Sequence, residues 1–177
     1  EYFKELTQRF PSSVYVDEAH FALAEYYFEK ESWSEALDQY TVLVNKKSLR
    51  LFGFSLYKSA WCFYRMGKYD VAVNTLERVI RMGDAGGGTV EGTKEINKLR
   101  LREEAIKDYV AFYSQTGKYK EADSDFNKAV GNEKKAMELL EALAYRYSYS
   151  GNIAASTYLF KKLIAADPEA EKAAKYQ

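Results

Sequence analysis

Catalysis and metal binding need nucleophiles, bases and ligands that can converge, and this chain holds one His, His20, and one Cys, Cys62. His20 follows Asp17 and Glu18, which could satisfy its ring, but a general base also needs a nucleophile beside it and the pattern supplies none. Cys62, within Ala60-Trp61-Cys62-Phe63, reads as a small buried hydrophobe rather than a reactive thiol. The pairs Glu103-Glu104 and Asp123-Asp125 are one and two residues apart, and such neighbours on a helix do not face each other. They read as solvated faces. Gly86-Gly87-Gly88 invites comparison with a phosphate-cradling loop, which requires a preceding strand and a Lys-Ser/Thr pair directly after the last Gly. Here Thr93-Lys94 stands in the reverse order, and the glycine run reads as a loop. The expectation is no catalytic residue, no metal and no cofactor.

The elements around these residues follow from composition and spacing. The 177 residues are 47% hydrophobic, enough for one compact domain or a short array of repeating units. Only 2 prolines and 10 glycines interrupt a chain rich in helix formers. Lys and Arg total 26 and so do Asp and Glu, so the basic excess that a phosphate backbone demands is absent. Apolar runs are far shorter than the roughly 18 residues of a membrane span. One Cys excludes a disulfide framework within the chain.

Internal repeats are visible. Gly67-Lys68-Tyr69 is followed by Ala72, and Gly117-Lys118-Tyr119 by Ala122. Alignment on that Ala gives four units. Leu23, Ala24 and Tyr27 precede the first turn, and Ala36, Tyr40 and Leu43 follow it. Ser59, Ala60, Phe63, Ala72, Leu76 and Val79 match them in the second, and Tyr109, Val110, Tyr113, Ala122, Phe126 and Ala129 in the third. Leu143, Ala144, Tyr147, Ser156, Phe160 and Leu163 complete the fourth. The units are offset by 36, 50 and 34 residues. Apolar residues three and four apart on both sides of a turn predict paired antiparallel amphipathic helices, with the small residues letting the pair approach closely.

These residues resemble the tetratricopeptide repeat, a helix-turn-helix unit of about 34 residues. The resemblance implies an all-α, right-handed superhelix of helix hairpins. Its boundaries would be a second helix of a truncated repeat at 1–13, repeats at 17–50 and 53–86, a glycine-rich insertion at 86–95, repeats at 103–136 and 137–170, and a terminal helix at 169–177. Ten helices and no strand are expected, near 2–10, 15–30, 33–46, 49–66, 69–82, 96–115, 119–130, 133–149, 152–166 and 169–175. Glu31 departs from the pattern where the turn Gly would stand, as do Val110 and Ser156 at small-residue sites. Phe3, Leu6 and Phe10-Pro11 fit the end of an earlier unit, so the expectation is an array cut from a longer one. End-to-end packing at residues 1–10 is expected, without an obligate oligomer.

In such arrays the first helix of each unit lines a concave groove. The resemblance places Phe21, Glu25 and Phe28 there from unit one, and Tyr57, Lys58, Trp61, Tyr64 and Arg65 from unit two. Lys107, Ala111 and Ser114, then Glu141, Tyr145 and Tyr149, come from units three and four. Spacing supports part of this independently, because Tyr57, Trp61 and Tyr64 fall on one helical stripe while Leu56, Ala60 and Phe63 supply an opposite, core-facing one. Two apolar stripes on one helix imply burial all round or a face held for a partner. The chaperone-binding subfamily clamps a C-terminal carboxylate with Lys and Asn. Phe21 and Glu25 at those sites disfavour that role.

Phe3-Lys4-Glu5-Leu6, Phe10-Pro11-Ser12-Ser13 and Glu18 through Tyr27 are similar to the repeats of bacterial cell-envelope proteins: the outer-membrane assembly lipoprotein, the Tol-Pal coordinator and periplasmic gliding-motility proteins. Leu101 to Tyr113 and Gly131 to Ala136 are similar to the last group. The resemblance implies a periplasmic or cell-envelope scaffold, with a cytoplasmic location the alternative. The expected function is a non-enzymatic protein-interaction scaffold that binds a peptide or protein, with no nucleic acid partner and no direct membrane insertion. Its rival is a regulatory or substrate-recruiting domain of a larger enzyme.

Overall fold

Helix formers interrupted by turn residues that take positive φ, Gly in three of four units, produce hairpins. In the computed structural model, which describes residues 2–47, 51–84 and 92–168, the described residues form nine α-helices and no strand. Two compact units divide the chain, residues 1–105 and 106–177.

The first unit contains α1 (Tyr2–Arg9), α2 (Val16–Glu29), α3 (Trp33–Asn45), α4 (Phe52–Arg65), α5 (Tyr69–Asp84) and α6 (Gly92–Tyr113) as far as Ala105. Within it α1 packs on α2, α2 on α3, α3 on α4 and α4 on α5, the consecutive packing of an αα-repeat. The second unit takes α6 from Ile106, α7 (Ala122–Val130), α8 (Glu133–Tyr149) and α9 (Ile153–Ala166). There α7 packs on α8 and α8 on α9.

The turns register the repeats. Glu31, Gly67, Gly117 and Gly151 all have positive φ, at 58°, 74°, 73° and 78°, and their spacing reproduces the offsets of the aligned units. Three of these turns close identically: Ser32 N–H donates to Tyr27 O at 2.9 Å, Lys68 N–H to Phe63 O at 2.9 Å and Asn152 N–H to Tyr147 O at 2.9 Å. Each bond satisfies a carbonyl that the helix end would otherwise orphan. Asn132 and Asn152 cap α8 and α9 by accepting from the Lys135 and Ala155 amides at 2.8 and 3.2 Å.

The core lies where the small residues bring helix pairs together. Ala24, Ala36, Ala60, Ala72, Ala122 and Ala144 are each wholly buried. Val110 and Ser156, the two departures at such sites, are accommodated as buried residues. On α4, Phe63 stays half-buried and Cys62 is the residue sealed inside. Some boundaries differ from expectation. Residues 92–95 of the expected glycine-rich insertion belong to α6, and α5 extends to Asp84. α7 begins at Ala122, three residues late, after a turn over Tyr119 to Glu121. The glycine run and the helix expected at 169–175 lie outside the described residues. On α1 no residue is buried, and Tyr2, Phe3 and nearby Phe10 are exposed.

Candidate functional site

In the first unit the mapped residues lie on α2 and α4. Buried Leu23 and Ala24 turn one side of α2 inward, which leaves Phe21, Glu25 and Phe28 half-exposed on another. On α4, buried Leu56, Ser59, Ala60 and Cys62 do the same for half-exposed Tyr57, Lys58, Trp61 and Tyr64, with Arg65 exposed.

The charged members of this set are engaged with the protein itself. Lys58 Nζ donates to Glu25 Oε2 at 3.1 Å, its ammonium lies 4.1 Å from the centre of the Phe28 ring, and Tyr40 donates its hydroxyl to Glu25 Oε1. Burial first, and then the Glu25 carboxylate, push the Tyr40 phenol well above its ordinary pKa and keep it a donor. The Arg65 guanidinium sits 5.2 Å over Trp33, whose ring meets Phe28 edge-on at 5.1 Å. Phe21 and Phe28 pack against the Ala24, Ala36, Tyr40 and Cys62 cluster, so both close the junction between repeats and keep only part of their ring area outside. Trp61 and Tyr64 meet edge-on at 5.8 Å, and Tyr64 meets Tyr69 at 5.4 Å.

In the second unit the residues mapped from α6 and α8 border two adjoining clefts. The larger, about 500 Å³, opens between Ser114 and Gln115 at the end of α6 and Tyr145, Arg146 and Tyr149 of α8. The smaller, about 380 Å³, is lined by Lys107, Val110 and Ala111 of α6 and Lys135 and Leu139 of α8. Ala142 and Arg146 line both. Arg146 Nε donates to Ser114 Oγ at 2.8 Å and the Tyr147 hydroxyl to Ser114 O at 3.1 Å, so α8 pins the end of α6. The Tyr145 and Tyr149 rings stack with centres 6.4 Å apart, and Tyr149 is 88% exposed. Of the mapped residues Glu141 does not line either cleft, whereas Leu139, Ala142 and Arg146 were not singled out from the sequence. Their spacing of three and four residues on one helix was the available signal.

Reactive groups are used up structurally. His20 Nδ1 meets the Gln39 side-chain oxygen at 2.8 Å, across to α3, instead of Asp17 or Glu18. Asp17 takes Lys46 at 3.3 Å. Asp123 takes Lys162 at 3.0 Å, and Asp125 accepts the Tyr113 hydroxyl at 2.7 Å. Burial raises the Cys62 thiol to about 12, so it stays protonated. Among the described residues no group of three His, Cys, Asp or Glu side chains is placed to hold a metal ion, and no helix is long and apolar enough to cross a membrane.

The sequence model of the tetratricopeptide repeat family matches residues 54–82, that is nearly all of α4 and of α5. The match supports that family. It falls within the second repeat, where buried Ala60 and Ala72, the positive-φ Gly67 turn and the Tyr57-Trp61-Tyr64 stripe occur together. Tetratricopeptide repeats are interaction modules, so the repeat indicates a protein-interaction scaffold. No curated protein matches the chain.

Proposed function

We propose that the chain is a scaffold that binds a peptide or protein partner on its first-helix faces, with no chemistry of its own. The binding set is Phe21, Glu25, Phe28, Tyr57, Lys58, Trp61, Tyr64 and Arg65 in the first unit and Tyr145 and Tyr149 in the second. The reading rests on one observation: beside the clefts of α6 and α8, the stacked Tyr145 and Tyr149 rings leave aromatic area exposed on a first-helix face. Aromatic rings give large contact area at small entropic cost, and Trp, Tyr and Arg dominate interface hot spots. The similarity to cell-envelope repeats favours a periplasmic partner in a bacterial envelope complex.

Photo-crosslinking tests the placement. A benzophenone side chain at Tyr64 or Tyr149 should capture the partner, whereas one at Arg78 or Thr157, both exposed on the second helices, should not. Trp61→Ala should weaken binding by about 2 kcal/mol, roughly thirtyfold, with the helical circular dichroism unchanged. Capture from Arg78 or Thr157 alone, with binding unaffected by Trp61→Ala and Tyr64→Ala together, would put the working surface on the other face.

A further inference from the structure

The clefts of the second unit carry charge of one sign. Lys107, Lys135 and Arg146 line them, and among the described residues of the lining none is acidic. Their floor is apolar, from buried Ile106, Val110 and Leu139. Glu138 answers Lys135 at 2.8 Å from outside the lining, in a pair that is about half-exposed and so weakly held against a competing carboxylate. Arg146 is held by its Nε bond to Ser114 Oγ, which orients the guanidinium and leaves its remaining donors to the clefts it lines.

We propose that this groove takes an internal acidic segment of a partner, with one carboxylate at Lys135, an aliphatic side chain on Leu139 and Val110, and a second carboxylate at Arg146. The inference rests on the scaffold reading and gives its ligand a chemistry. Spacing sets the motif. Lys135 and Arg146 are eleven residues apart on α8, about 16 Å along the axis, which an extended chain covers in about five residues. Leu139 lies about 6 Å from Lys135 on the same axis, or about two residues of extended chain. The ligand is therefore acid, any residue, aliphatic, two residues, acid. Arg146 borders both clefts, and the lining continues past it to Tyr149 and Ser150. An anion there is met in the middle of a passing chain, so a side-chain carboxylate fits and a terminal one does not.

The probe is a fluorescent, capped peptide, acetyl-Gly-Glu-Ser-Leu-Ser-Ser-Glu-Pro-Gly-amide, with its reversed sequence as a second probe because a groove can be read in either direction. Fluorescence anisotropy with the whole chain should show saturable binding of one of them. Replacing both glutamates by glutamine, or leucine by serine, should weaken it at least tenfold, and salt raised from low to high should weaken it severalfold. Lys135→Glu, an exposed change, and Arg146→Gln should each cost at least fivefold with the circular dichroism intact. Equal binding of the glutamine peptide, no effect of both variants, or stronger binding of a glutamine peptide with a free C-terminal carboxylate would overturn the proposal. A random peptide library selected on the chain separates the two readings. Neutral or basic peptides that crosslink at Tyr149 would refute the acidic ligand and keep the scaffold, whereas no crosslinking peptide at Tyr64 or Tyr149 would refute both.

Discussion

Glu31 occupies the left-handed turn position that Gly67, Gly117 and Gly151 hold in the other units, and it does so at φ 58°. A residue with a Cβ is disfavoured by about 1–2 kcal/mol in that conformation, whereas glycine adopts it freely. Glycine loses more chain entropy on folding, which offsets about 0.5–1 kcal/mol of that difference. Glu31 is exposed, and its amide bond to Phe28 O at 3.0 Å is a backbone contact that glycine keeps. Glu31→Gly should therefore stabilise the first unit by about 0.5–1 kcal/mol, a rise of about 1–4 °C in Tm for a chain of this length. Urea unfolding followed by circular dichroism, with an unchanged slope, is the measurement. The reciprocal change Gly67→Ala, where a Cβ would meet no neighbour, isolates the same backbone strain and should cost about 1 kcal/mol. A neutral or destabilising Glu31→Gly beside a costly Gly67→Ala would show that the two turns are not equivalent, and the repeat register would fall.

Ala60 and Ala72 are wholly buried on the packed pair α4 and α5, so Ala72→Leu should overpack and cost about 1–3 kcal/mol in urea unfolding, while Val71→Leu on the exposed side should be neutral within about 0.5 kcal/mol. With its pKa pushed up to about 12 and its side chain sealed, Cys62 should resist iodoacetamide at pH 8 in the folded chain and react readily in concentrated urea.

The hairpin register was legible because it depends on local chemistry: a residue that can take positive φ, a small residue seven before it and another five after it, and apolar spacing between. Those signals recur at fixed offsets, so even Glu31, a poor residue for its turn, could be aligned by its neighbours. Contacts between distant residues were not legible in the same way. The Lys58 to Glu25 bridge spans 33 residues and the Arg146 to Ser114 bond 32, and in each case side chains on neighbouring repeats meet only once the helices have packed. His20 illustrates the same limit. Asp17 and Glu18 are near in sequence, but a helix turns His20 toward α3, where Gln39 waits and Lys46 takes Asp17.

The two first-helix faces are chemically unlike, and the difference follows from what their charges engage. In the first unit Lys58 and Glu25 neutralise each other and Arg65 covers Trp33, so the charges brace the repeat junction and aromatic area remains for a partner. In the second unit Arg146 is held by the neutral Ser114 hydroxyl, the Lys135–Glu138 pair is about half-exposed, and half-buried Tyr145 and exposed Tyr149 stand at one end of the clefts. A ligand of the first face would be selected by shape and ring contact and would tolerate salt. One held by the second would be selected by charge and would weaken as salt rises. Salt dependence that is lost in variants of Lys135 and Arg146, and kept in those of Trp61 and Tyr64, is the signature that divides the two.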